Sequence, residues 1–231
     1  LLASDQGGAL LEHTADRIIR ELEIDTGRQR LDSTHIVSNM ARLHRLGLFC
    51  ETLRLFLVEL QALGPEKFEA VPASLRGRYL KEDGSAASYG DAASGKSRRR
   101  LGVAARDVYR LVDRFCGDRE VCRTESYLLL TRLFEEQCEV LDEACAPGPA
   151  EGDHDTDLPY APVAPVEPKE VSSASLQSPH DPDATYSGHK GKGYELQVCE
   201  TCGNGEKPEI ITEVELTPSC GSDAAATMPT V

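Results

Sequence analysis

The chain opens with an apolar stripe at helical spacing. Leu10, Leu11, Ala15, Ile18, Ile19 and Leu22 recur every three or four residues, with His13, Asp16, Arg17 and Glu21 on the other side. That period predicts an amphipathic helix over residues 5–24. Thr26-Gly27 punctuates the pattern. The segment Arg28 to Asp32 then reads as a short strand ending on an acid. From Thr34 to Leu63 the period is helical again, through Ile36, Val37, Met40, Leu43, Leu46, Phe49, Leu53, Phe56 and Leu60. Gly47 is a candidate break between two helices, and Gly64-Pro65 stops the run and starts the next helix. Residues 81–97, rich in Ser, Gly, Ala and Asp, read as a surface loop. Two further helices are expected, over 97–115 and 118–144.

Residues 146–182 change character. They hold most of the prolines, many acids and serines, and almost no large apolar groups. Such composition predicts a flexible acidic linker, because little surface is available to offset the entropy of ordering. Beyond it the period becomes two. Tyr194, Leu196 and Val198 alternate with Glu195, Gln197 and Cys199, and Ile210, Thr212, Val214 and Leu216 alternate with Ile211, Glu213 and Glu215. Two strands follow from this, joined by a hairpin at Gly203-Asn204-Gly205. Ser222-Asp223 offers a cap for a helix starting at Ala224.

The length of 231 residues suits one large domain or two small ones. No apolar run approaches the ~20 residues that span a bilayer. Leu1-Leu2-Ala3-Ser4-Asp5 lacks the basic start and apolar centre of a secretory signal, so a cytoplasmic setting is expected. The first residue is Leu rather than Met, which hints at an upstream segment.

The net charge of −14 argues against nucleic acid until its distribution is examined. Thirteen acids and one base, Lys169, fall between Glu135 and Asp183. The rest of the chain is near neutral with clustered bases, so local patches decide what it touches. The eight cysteines, in a reducing compartment, read as thiols. Cys199-Glu200-Thr201-Cys202 is the only CxxC, and no second CxxC or spaced His pair completes a zinc site; Cys220 is close enough in sequence for a third ligand, but the plainer reading is small buried residues on or beside a strand.

Two separated segments carry the chemical signal. One is Arg28-Gln29-Arg30-Leu31-Asp32-Ser33-Thr34-His35, extending to Ala41. The other is Tyr186-Ser187-Gly188-His189-Lys190-Gly191-Lys192-Gly193-Tyr194-Glu195-Leu196-Gln197-Val198, followed by Ile210 to Ser219. Together they resemble the catalytic core of insertion-sequence DDE transposases, which cut and join DNA on an RNase H-like fold. The resemblance implies an α+β chain, mainly helical, divided into four parts. These are a helix plus first core strand (1–34), a helical insertion (35–145), the linker (146–185) and a core hairpin (186–231). It also implies phosphoryl transfer by two Mg²⁺ ions held on three carboxylates. Asp32 matches the first of the three, as catalytic and metal-binding residue. The second Asp and the Glu match no position here, so an incomplete core, inactive on its own, is expected. Without the resemblance Asp32 reads as an ordinary turn or cap residue.

DNA is the partner this implies, in a nucleoid-associated protein with no membrane attachment, and a homo-oligomer is compatible with it. Lys96, Arg98, Arg99 and Arg100 form a basic cluster, and Arg106, Arg110 and Arg114 recur at four-residue steps. That ridge suits phosphates or, equally, a solvated face paired with Asp107 and Asp113. Lys190 and Lys192 stand in a Gly-rich turn able to approach a DNA backbone. The alternative function is a non-catalytic helical DNA-binding or interaction module of transposase descent.

Overall fold

The structure, a computed structural model, describes residues 6–37, 43–90, 96–142, 158 and 160–221. In chain order these form α1 (Gln6–Leu22), β1 (Gln29–Val37), α2 (Arg45–Leu63), α3 (Pro65–Glu69), α4 (Ala73–Tyr79), α5 (Ser97–Phe115), α6 (Glu125–Gln137), β2 (Cys138–Val140), β3 (Val163–Pro165), β4 (Thr185–Ser187), β5 (Gly191–Thr201) and β6 (Ile211–Pro218). The fold is α+β, with six helices and small antiparallel sheets among the described residues. It divides into a unit made of residues 1–39 and 184–231 and a unit made of residues 40–183.

In the first unit β5 is the strand that the others pair with. It takes β1, β4 and β6 as antiparallel partners, and β1 lies at an edge of the sheet. The alternation read from the sequence sets the two faces of β5: Glu195, Gln197, Cys199 and Thr201 are buried, while Tyr194, Leu196, Val198 and Glu200 are half-buried. The connection to β6 places Gly203 and Gly205 at φ 82° and 69°, where a Cβ is disfavoured. Between them Asn204 accepts from the Asp25 amide at 2.8 Å and donates to the Asp25 carbonyl at 3.1 Å. The tip of this connection is thereby fixed to the loop that leads into β1.

The first strand is longer than the sequence reading allows. β1 does not end at Asp32; it runs on to Val37, through Thr34, Ile36 and Val37, where a helix is expected. All three are β-branched residues that favour a pleated surface, and each has a cross-strand partner on β5. The helical apolar spacing from residue 34 onward was therefore coincidental with a strand period over its first four positions.

In the second unit α2 supplies the centre of the core. Phe49, Leu53, Phe56, Leu57 and Leu60 are buried along it, against Val108 and Leu111 of α5 and Leu130 and Leu133 of α6. Phe56 meets the rings of Phe115 and Tyr127 at 5.7 and 5.9 Å between centroids, within the range of favourable aromatic pairs. Gly47 does not separate two helices: it lies in the first turn of α2, where its amide donates to His44 Nδ1 at 3.0 Å. The helix expected over 118–144 is shorter. A 3₁₀ turn at Val121–Arg123 precedes it, Thr124 caps it, and it gives way after Gln137 to β2.

The stretch expected as a flexible linker differs from that expectation over residues 160–183, which lie against the helices of this unit. Leu176 is fully buried in the helical core and Val163 joins it. Gln137 Nε2 donates to the Leu176 carbonyl at 3.0 Å, the Leu176 amide donates to Glu136 Oε2 at 2.6 Å, and Arg132 donates to the Pro182 carbonyl at 2.7 Å. Side chains of α6 thus satisfy the irregular backbone in place of a ladder. Residues 143–157 and Pro159 lie outside the described residues, as does the helix expected after Ser222-Asp223.

Candidate functional site

The two segments singled out in the sequence meet in one sheet. β1 pairs with β5 over nine consecutive positions, from Gln29 opposite Thr201 to Val37 opposite Gly193. Asp32 stands opposite Val198, and Thr34 and Ile36 stand opposite Leu196 and Tyr194. Residues directly opposite in an antiparallel pair share a face. Asp32 therefore lies on the face that carries Tyr194, Leu196 and Val198, continued on β6 by Val214 and Leu216 opposite Val198 and Leu196. This face is open: Ile36 is 41% exposed, Val214 42% and Leu216 54%. Asp32 is itself exposed and sits fourth in a nine-residue strand rather than at its end.

Among the described residues, Asp32 is the only carboxylate that the resemblance assigns to a Mg²⁺ site. Carboxylate oxygens suit Mg²⁺, but Asp32 faces an aliphatic partner, and among the described residues no three His, Cys, Asp or Glu side chains are grouped to hold a metal ion. Cys199, Cys202 and Cys220 form no such group either, and Cys199 Sγ instead donates to Gln29 Oε1 at 2.8 Å.

The opposite face carries a polar network that sequence reasoning missed. His35 Nδ1 donates to Glu195 Oε1 at 3.1 Å, and Lys190 Nζ donates to Glu195 Oε2 at 2.9 Å. Burial pushes the Glu195 carboxyl up, yet the hydrogen bonds from Lys190 and His35 outweigh it and hold the group below its ordinary value. His35 Nε2 and Gln197 Oε1 are buried on this face without a hydrogen-bond partner among the described residues. The available signal was the register: once Asp32 is placed opposite Val198, His35 must fall opposite Glu195.

The basic candidates separate into two kinds. Arg110 Nη1 is bound to Asp107 Oδ1 at 2.8 Å, and Asp107 is fully buried, taking Arg78 on its other oxygen together with the Tyr79 hydroxyl at 2.7 Å. Arg100 is also engaged, its guanidinium 5.2 Å from the Tyr89 ring centroid and donating to the Tyr89 carbonyl at 3.1 Å. Arg106 is half-buried. By contrast Lys96, Arg99 and Arg114 are exposed, and Arg98 reaches only the exposed Glu167 at 3.2 Å. The paired-face reading thus holds for Arg110, while Arg98, Arg99 and Arg114 keep charge directed to solvent. In the β4–β5 hairpin Lys190 is committed to Glu195. Lys192, six positions before Val198 and so on the Asp32 face, is half-buried, and burial lowers its ammonium below the ordinary value.

No helix of the described residues is long and apolar enough to cross a membrane. No family model, no curated protein and no solved structure matches this chain.

Proposed function

We propose that the chain is transposase-like and contributes part of an RNase H-like core, with Asp32 as the first of its metal-binding carboxylates. One observation carries this reading. The segment around Asp32 and the segment around Tyr194, 160 residues apart at His35 and Glu195, pair in one continuous antiparallel ladder. A resemblance shared by chance would give no reason for the two to be neighbours. The edge position of β1 supports it further, because a larger sheet extends from such an edge. With Asp32 the one matched carboxylate among the described residues, where two metal ions need several, the proposed role by itself is DNA binding rather than strand cleavage.

Lys192 on the Asp32 face and Arg98, Arg99 and Arg114 on α5 are the cations for phosphate contact, each adding salt-dependent, sequence-independent affinity. The test is a labelled duplex titrated at several salt concentrations, with and without Mg²⁺. Salt-dependent binding without cleavage is the expected result. Absence of binding near ~50 mM salt, where phosphate contacts are strong, would overturn the reading.

A second reading, a non-catalytic helical DNA-binding module, is favoured by the exposed arginines of α5. The two part over Lys192. Loss of affinity in Lys192→Ala supports DNA lying over the Asp32 face, and loss confined to the α5 arginines supports the helical module.

A further inference from the structure

The helical unit contains a concavity of about 180 Å³. It lies between the start of α4, one side of α5, and Leu158 and Tyr160. Its floor is apolar, with Leu75 and Leu111 each 1% exposed. Two tyrosines line it, Tyr109 half-buried and Tyr160 57% exposed. Arg114 stands at its border without an ion pair among the described residues, and Asp113 lies beside it. Arg110 also lines the cavity, but its charge is taken up by Asp107.

We propose that this concavity receives one unstacked base of single-stranded DNA, with the adjoining phosphodiester on Arg114. The inference rests on the DNA-binding reading above and adds to it a preference for unpaired nucleotides. An apolar floor bounded by aromatic rings takes any base, since every base offers a flat π-face. Arg114 supplies one positive charge, which matches the single negative charge of a phosphodiester. Asp113 stands against the double charge of a free mononucleotide phosphate, so the occupant is a base within a strand rather than a nucleotide monomer. The size of the cavity suits one ring system and excludes a duplex.

The experiment compares a short labelled oligo-dT, a duplex of the same length and the free monomer dTMP as competitor. The chain has no Trp, so tyrosine fluorescence reports stacking in parallel with anisotropy. Tyr160 is exposed, and Tyr160→Ala and Tyr160→Phe are expected to keep the fold, checked by circular dichroism. We expect Tyr160→Ala to weaken oligo-dT binding about five- to tenfold, as loss of one stacked base does. Tyr160→Phe should restore it, and duplex binding should stay unchanged in both. Unaltered oligo-dT affinity in Tyr160→Ala, or equal losses in the Ala and Phe variants, would overturn the proposal. Equally, displacement of oligo-dT by dTMP as readily as by unlabelled oligo-dT would contradict it. Duplex binding together with an oligo-dT affinity that Tyr160→Ala leaves unchanged defeats this inference and leaves the DNA-binding reading standing; no binding to either DNA defeats both.

Discussion

His35 and Glu195 occupy opposite positions on β1 and β5, and their side chains meet at 3.1 Å although 160 residues separate them in sequence. Glu195 is 4% exposed in its side chain and also holds Lys190. We expect Glu195→Ala to cost about 1–3 kcal/mol of stability, because it strands a buried imidazole as well as removing a contact. The sign of the pH effect follows from the depressed carboxyl. Its contribution is fully present above the ordinary carboxylate value of about 4.3 and is lost as pH falls through the lower folded value. Thermal melts of the wild type and Glu195→Gln from neutral to acid pH check this, and the gap between them should close on acidification.

Much of the helical unit was legible in the sequence because its signal is local. The stripe of α2 buries the residues that its period marks, Leu46, Phe49, Leu53, Phe56 and Leu60 among them. β5 and β6 were legible as strands from their period of two, but not which face is covered: Glu195, Gln197 and Cys199 are buried while Val214 and Leu216 are exposed. The misreadings share a physical cause. Thr34 to Val37 fit a helical stripe and a strand equally over four positions, and only a partner strand far along the chain decides between them. Residues 160–183 lack apolar periodicity altogether; what orders them is the burial of Leu176 and Val163 in the helical core together with backbone hydrogen bonding to Gln137, Glu136 and Arg132, which no composition reveals. In the candidate site Asp32 could be named from the resemblance, but its neighbours could not, since they depend on a register between remote strands.

The buried Asp107 serves the fold more than any ligand. It joins Arg78, Arg110 and Tyr79 in the interior of the helical unit. Removing one member of a buried ionic group leaves charge uncompensated, so Asp107→Ala should cost about 3–5 kcal/mol. Arg99→Ala, at an exposed position, should stay within about 0.5 kcal/mol. Denaturant titration of both variants distinguishes the structural arginine partners from the solvent-facing ones.

Leu176 tests whether the proline-rich stretch is part of the core. It is fully buried among the helices, so Leu176→Ala should destabilise by about 2–5 kcal/mol. A solvated linker would show no loss, and the same denaturant titration reads the difference.

The open apolar face of the sheet has a direct physical consequence. Ile36 on β1 and Val214 and Leu216 on β6 are exposed on one face, with half-buried Leu196 and Val198 of β5 between the two strands, and apolar surface of this kind favours association. We expect the chain to bind a hydrophobic dye and to self-associate with concentration. The pair Val214→Thr and Leu216→Thr should reduce both, measured by dye fluorescence and sedimentation.

Asp32 itself gives the most direct measurement of the proposed function. Without metal, its carboxylate repels any phosphate backbone that passes over the Asp32 face of the sheet. Duplex affinities of the wild type and Asp32→Asn should therefore be compared at low salt in the presence of a chelator. The account predicts about two- to fivefold tighter binding by Asp32→Asn, shrinking as salt rises. Equal affinities in the two proteins would contradict it, because DNA would then not approach the residue on which the transposase-like reading depends.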